Sequence, residues 1–283
     1  MIHILSFQDY EIEVASFGAE LHSLKKIGVN YLWTKNQPYW QRQAPVLFPI
    51  VGKLKANTYV YHNRYYSLPQ HGFARDREFE LVGQGLNMLL FRLDDTKNSE
   101  YPFDYDLFIK YTIDVMGVKT TYIVINKGNT TLPFSIGAHP AFLCPFYNDE
   151  KLKAYYFEFD SDIKLSRNVL QDGLLTEIQH EIPLQNHMLA INEELFSDDA
   201  LVLSGFKSKA VCLKSANYNL KISWEDCTYL GLWKQPNAPF VCIEPWWGVA
   251  DSISHNHDIE RKKGIINLPP GDKKEFWFNI SID

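Results

Sequence analysis

The chain has 283 residues, 46% of them hydrophobic and 14% aromatic, which is enough to build a real core and excludes a disordered protein. Lys and Arg number 28 against 34 Asp and Glu, a formal net charge of −6 that argues against wrapping nucleic acid or lying on an anionic membrane surface. The longest uncharged apolar run, residues 44–52, is nine residues long. A bilayer needs about 20, so no transmembrane helix is predicted. The N-terminus has no basic stretch and meets Asp9 early, which is unlike a secretory signal. None of the four cysteines, Cys144, Cys212, Cys227 and Cys242, forms a C-x-x-C pair. They read as reduced thiols in a cytoplasmic protein.

Along the chain the dominant period is two. Residues 4–7, 11–17, 59–68, 78–81 and 88–93 read as strands, with turn signals at Asn36-Gln37-Pro38 and Gly83-Gln84-Gly85. In residues 105–115, Leu107, Ile109, Tyr111, Ile113 and Val115 alternate with Phe108, Lys110, Thr112 and Asp114, the pattern of a strand with one buried face. Met116-Gly117 is a tight turn and residues 118–126 are the hairpin partner. Further turns fall at Gly128-Asn129 and Asp172-Gly173, and residues 191–196 allow one or two helical turns. Residues 211–213, 220–224 and 240–243 are apolar strands, the last ended by Pro245, which removes a ladder donor. After a turn at Pro270-Gly271, Phe276, Phe278, Ile280 and Ile282 alternate with Glu275, Trp277, Asn279 and Ser281. Strands do not alternate with helices of about 10 to 15 residues, so a parallel α/β sheet is excluded. The prediction is an all-β fold, a large antiparallel β-sandwich, as one domain over residues 1–283.

Three segments put polar groups in apolar or turn-rich surroundings. Glu244 follows the apolar strand and precedes Pro245, Trp246 and Trp247. Such a carboxyl is partly desolvated, which favours its neutral form and suits a general base working near neutral pH. The alternative is a strand-end Glu paired with a Lys or Arg. His139, in Gly137-Ala138-His139-Pro140, has small residues before it that leave room for close approach. It titrates in the working range, or else it is a core histidine bonded to backbone. His71 lies in the turn-like Pro69-Gln70-His71-Gly72-Phe73-Ala74-Arg75-Asp76, where Arg75 either pairs with Asp76 or meets a ligand. His255, His257, Asp258 and Asp251 resemble a metal cluster by residue type, but their context reads as a solvated loop. No phosphate-cradling glycine loop, G-x-S-x-G elbow or G-x-G-x-x-G fingerprint is present.

Taken together, His71-Gly72-Phe73-Ala74-Arg75, Gly137-Ala138-His139-Pro140 and the stretch from Tyr229-Leu230-Gly231-Leu232-Trp233 to Glu244-Pro245-Trp246 resemble the aldose 1-epimerase (mutarotase) family, in a divergent LacX-like branch. The resemblance implies a galactose mutarotase-like β-supersandwich and a cofactor- and metal-free isomerase that interconverts hexose anomers. Glu244 would take the proton from the anomeric hydroxyl and His139 would protonate the ring oxygen, the two set on opposite sides of the ring. His71 would orient the sugar. Trp233 would pack against it, as it would in a lectin. The family's paired arginines are replaced near Gly52-Lys53 and Asn57-Thr58, and its sugar-reading aspartate has candidates only in Asp198 and Asp199. Arg75 and Lys53 could meet a phosphate, as in hexose-6-phosphate mutarotases. The implied partner is a monosaccharide or a sugar phosphate. The alternatives are that phosphate activity and a non-catalytic sugar-binding or regulatory protein. A glycoside hydrolase would need a second well-placed carboxylate.

Overall fold

A computed structural model describes residues 1–35, 38–93 and 99–283. The expected turn residues Asn36 and Gln37 lie outside the described residues.

Two large antiparallel sheets face each other. The first runs, edge to edge, Met188–Ala190, Tyr156–Phe159, Ala210–Lys214, Asn219–Trp224, Lys273–Ile282, Gly117–Asn126, Tyr105–Asp114, Met88–Leu93 and Glu80–Gly85. The second runs Leu174–Pro183, Lys164–Gln171, Leu201–Ser204, Tyr229–Trp233, Phe240–Trp247, Ile136–Ala138 and Val46–Leu47, with Ala141–Leu143 also on Phe240–Trp247. Period-two patterning explains the arrangement. Leu107, Ile109, Tyr111 and Ile113 from the first sheet meet Leu230, Leu232, Val241 and Ile243 from the second in one core. An N-terminal four-stranded sheet, Ile2–Phe7, Tyr10–Ala15, Leu21–Lys26 and Val29–Asn30, adds Leu5, Ile12, Val14, Leu21 and Leu24 to that core. The hairpin of Tyr105–Asp114 and Gly117–Asn126 pairs Ile109 with Tyr122, as the alternation predicts. Helix is confined to single 3₁₀ turns among the described residues. The one at Glu194–Phe196 is where a helical turn was expected, with the Asn192 side chain accepting from the Leu195 N–H at 2.8 Å.

Three local expectations are corrected. Residues 59–68 are not one strand but a hairpin, Thr58–Tyr61 and Arg64–Ser67, turning at His62 and Asn63 in left-handed conformation. Gly83-Gln84-Gly85 is not a turn but strand, with a register shift between Leu81 and Gly83. The Phe240 strand does not stop at Pro245 but continues to Trp247. The Ile243 N–H points toward Pro140 O at 3.3 Å. Two residues on, the missing donor of Pro245 faces the same side, opposite the gap between Ile136–Ala138 and Ala141–Leu143. No ladder bond is lost there, and His139 occupies that gap.

Candidate active site

Phe240–Trp247 is buried along both faces. Val241, Ile243 and Trp247 enter the main core. Phe240, Cys242 and Trp246 join small clusters on the opposite face, and Glu244 shares their parity. This outer face floors a pocket of about 410 Å³, within the size range of small-molecule sites. Its walls include Trp40, His71, Arg75, His139, Asp199 and Trp233.

The floor is shaped by two glycines. Gly137 stands opposite Trp246 on one neighbouring strand and Gly231 opposite Glu244 on the other. A Cβ on either would come within 2.7 Å of the Trp246 indole. The ring therefore lies over both strands, with its N–H donating to Ala138 O at 3.2 Å.

Glu244 is 1% exposed, and its Oε2 stands 3.2 Å from Nε2 of His139. Glu244 Oε2 and His139 Nδ1 are both buried without a hydrogen bond. The two groups stand side by side rather than on opposite sides of a ring, which corrects the expected clasp. Burial pushes the Glu244 carboxyl well above the ordinary carboxylate range, with Asp199 adding to the shift. Burial also pushes the His139 imidazole down to about 3. Both shifts favour the uncharged form of each group.

The Gly52 N–H donates to Nδ1 of His71 at 3.1 Å, so a neutral His71 carries its proton on Nε2. Burial lowers its pKa, and His139 and Arg75 lower it further. Its left-handed backbone, φ 68°, is followed by Gly72, where a Cβ would come within 2.2 Å of Phe48 O. Only glycine fits that turn, which explains the His-Gly sequence. Arg75 donates to Gln70 O at 2.6 Å, and its Nε is buried without a hydrogen bond. Burial and Arg42 lower its pKa to about 10, so it stays charged at neutral pH. Arg42 and Arg75 share one carboxylate, Asp76, at 2.8 and 3.7 Å. Trp40 and Trp233 flank His139 at ring distances of 4.7 and 5.6 Å.

Glu244, His139, His71, Arg75 and Trp233 thus meet in one pocket. Lys53 does not line it. Its ammonium donates to Asp172 O at 3.2 Å, behind Gly173. Of the two candidate aspartates, Asp199 lines the pocket and Asp198 does not. Trp40 and Gln70 were missed as site residues, and Trp246 reads from the sequence more readily as core than as a platform for sugar. Gln70 sits beside His71 in sequence and Trp246 beside Glu244, whereas no pattern marks Trp40. The loop suggestive of metal is an ion-pair cluster instead. Asp251 faces Lys262 at 3.4 Å, His257 meets Thr58, and Asp258 caps the Glu260 N–H. Among the described residues, the donor set that could hold a metal is His139, Cys242 and Glu244, whose ligand atoms lie within 4.8 Å of one another. Burial disfavours the ionised thiol and carboxylate that would ligate an ion.

The family model for aldose 1-epimerase matches residues 2–281. The chain belongs to the aldose 1-epimerase family. It is an aldose 1-epimerase-like, mutarotase-type isomerase. Two curated relatives, the plasmid and chromosomal LacX proteins of Lactococcus lactis subsp. lactis, are each 32% identical over 96% of both chains. A galactose mutarotase-related enzyme of Lactobacillus acidophilus superposes with a TM-score of 0.95 at 30% identity, over 100% of this chain and 97% of that one. A galactose mutarotase-like protein of Lactobacillus casei gives 0.92 at 25% identity, over 100% of both. No described helix of this chain is long and apolar enough to cross a membrane.

Proposed function

We propose that this mutarotase-type enzyme acts on an aldohexose through Glu244 and His139. The carrying observation is the 3.2 Å approach of Glu244 Oε2 to His139 Nε2 at the base of the pocket. One group removes the proton from O1, the C1–O5 bond breaks, and the other gives a proton to O5. The product is the open aldehyde. Rotation about C1–C2 and the reverse transfers then close the ring with the opposite anomer. The base role expected for Glu244 starts from its ionised form beside a protonated His139, the charged arrangement that burial disfavours. The reverse assignment, with His139 as base and Glu244 as acid, starts from the neutral pair. Both hold the same number of protons, and each turnover passes through both. His71 Nε2–H and Asp199 supply a donor and an acceptor for hydroxyls, and Trp40 and Trp233 offer faces for the apolar side of the ring.

Four unpaired cysteines fit a reducing compartment, so the proposed location is the cytoplasm. Glu244→Gln is expected to lower kcat for anomer exchange of glucose or galactose by about 10²–10⁴-fold, the usual worth of general acid–base catalysis. Polarimetry on freshly dissolved sugar, with the spontaneous rate subtracted, measures this. Sugar binding by Glu244→Gln, followed by calorimetry, is expected to persist. A variant as fast as the wild type removes the assignment. A sugar phosphate is the second reading. It is favoured by two guanidinium groups, Arg42 and Arg75, sharing the one carboxylate of Asp76. The same assay on glucose 6-phosphate decides it: no gain over glucose discards the phosphate.

A further inference from the structure

The segment that brings Trp40 to the pocket, residues 38–44, is neither helix nor strand, yet its backbone is bound from several directions. Glu20 lies buried at the bend between Tyr10–Ala15 and Leu21–Lys26. One of its carboxylate oxygens accepts the N–H groups of Gln43 and Ala44, at 2.8 and 3.0 Å. The Gln43 amide donates to Trp33 O at 3.0 Å and also to His22 O. The Gln43 carbonyl accepts the Ala141 N–H at 2.8 Å, two residues beyond His139. Trp33 donates its indole N–H to Trp40 O at 2.9 Å, and Arg42 reaches Asp76 at 2.8 Å. Glu20 is itself held fast. Its carbonyl accepts the Ala15 N–H at 2.9 Å, and the Ala19 carbonyl accepts the Tyr111 hydroxyl at 2.7 Å.

A buried carboxylate is costly unless its charge is met. Burial acts to raise the Glu20 pKa, but the His22 ring at 3.4 Å and the two N–H groups outweigh it, and the pKa falls below its ordinary value. Glu20 is therefore an anion at neutral pH, and N–H bonds to an anion are stronger than those to a neutral acceptor. Neither Gln43 nor Ala44 belongs to a strand, so these bonds extend no ladder. What they fix is the course of the chain just after Trp40, whose ring stands 4.7 Å from that of His139 and 5.5 Å from that of Trp233. Among the described residues, none of the N-terminal four-stranded sheet lines the pocket. Its reach into the site runs through Glu20.

We propose that Glu20 is a positioning residue for anomer exchange: its carboxylate holds residues 40–44 so that the Trp40 ring faces the sugar beside His139. This rests on the reading of the pocket as the sugar site around Glu244 and His139. Anomer exchange of glucose and galactose by polarimetry, with calorimetric binding alongside, tests it. Glu20→Ala leaves two N–H groups without their acceptor. It is expected to raise KM about tenfold, as Trp40→Ala does, the worth of one aromatic face, with kcat within about threefold of the wild type. A mere loss of folded protein lowers the apparent kcat and leaves KM unchanged, and that result overturns the proposal. Glu20→Gln keeps an oxygen for the N–H groups and is expected within about threefold of the wild-type KM. If Glu20→Gln is as impaired as Glu20→Ala, Glu20 acts by its charge on His139 and Arg75 and not by position. Glu20→Ala combined with Trp40→Ala is expected to raise KM no further than Trp40→Ala alone, and additive losses overturn the proposal. Where Glu20→Ala does not fold, Glu20→Asp draws the carboxylate back by one methylene and carries the same expectations. If the wild type accelerates no sugar, the acid–base reading fails by itself, and the same ratios read in Kd decide the role of Glu20. Hydrogen exchange of the Gln43 and Ala44 amides is expected to quicken in Glu20→Ala, and unchanged exchange overturns the proposal whatever the sugar.

Discussion

Glu244 and His139 are shifted in opposite directions by the same burial, and each shift leaves a mark on stability. The folded His139 titrates at about 3, below the ordinary histidine value of about 6.5. Between those values the unfolded chain holds more protons, so this group erodes stability as pH falls through that window. Glu244 is the reverse case. Its folded pKa lies well above the ordinary carboxyl value of about 4.3, so its contribution is fully present below that value and is lost as pH rises toward the folded one. The lowered pKa of His71 acts in the same sense as that of His139. Both histidines remain in Glu244→Gln and cancel in a comparison with the wild type. The stability of Glu244→Gln relative to the wild type is therefore expected to climb with pH above about 4.3, by up to about 1.4 kcal/mol per unit. Urea midpoints measured across the pH range check this. A flat difference would mean that Glu244 is already ionised in the folded pocket.

The strand Phe240–Trp247 does two things that exclude each other in an ordinary strand. It is buried on both faces, and it carries an acid at the centre of one of them. The neighbouring glycines make this possible. Gly231 lacks a left-handed φ, so an added methyl there acts by bulk alone, 2.7 Å from Trp246 Cζ2. The indole is held by Gly137 on its other flank and by its bond to Ala138 O, so it cannot swing away cheaply. Gly231→Ala is expected to cost about 1–3 kcal/mol, as overpacking does, and to slow anomer exchange by tilting the floor under Glu244. In a Trp246→Phe background most of that cost should vanish, which a double-mutant cycle measures. Equal costs in both backgrounds would clear the indole of any part in it. The same strand shows what a sequence hides. A continuous apolar run marks residues 240–243, and Pro245 then masks the remainder. Its tolerance depends on a gap in the neighbouring strand, which no local pattern announces. His62-Asn63 hides a hairpin turn for a similar reason, because two non-glycine residues take left-handed conformations there.

The two-layer architecture was legible because period two persists through most strands and fixes which residues meet in the core. The meeting of distant segments was not, since it is set by strand order. Ile136–Ala138 and Tyr229–Trp233 flank Phe240–Trp247 only once the sheet has formed, and Trp40 arrives from a segment with no pattern of its own. The same order ties the ends of the chain together. Lys273–Ile282 lies between Asn219–Trp224 and Gly117–Asn126, and so joins the two halves of the nine-stranded sheet. Its Ile282 N–H donates to the Tyr10 hydroxyl at 3.1 Å, which fastens the N-terminal four-stranded sheet to the last strand. One core cluster runs from Leu5 to Ile282. Chains of more than about 250 residues commonly split into domains. We propose that this one unfolds as a unit because its last strand completes the sheet laid down by its middle. Circular dichroism and tryptophan fluorescence are then expected to give coincident urea transitions. Trp224 and Trp277 report on one sheet, and Trp233, Trp246 and Trp247 on the other. Two separated transitions, or a folded remainder after removal of residues 273–282, would show that the sheets are stable apart.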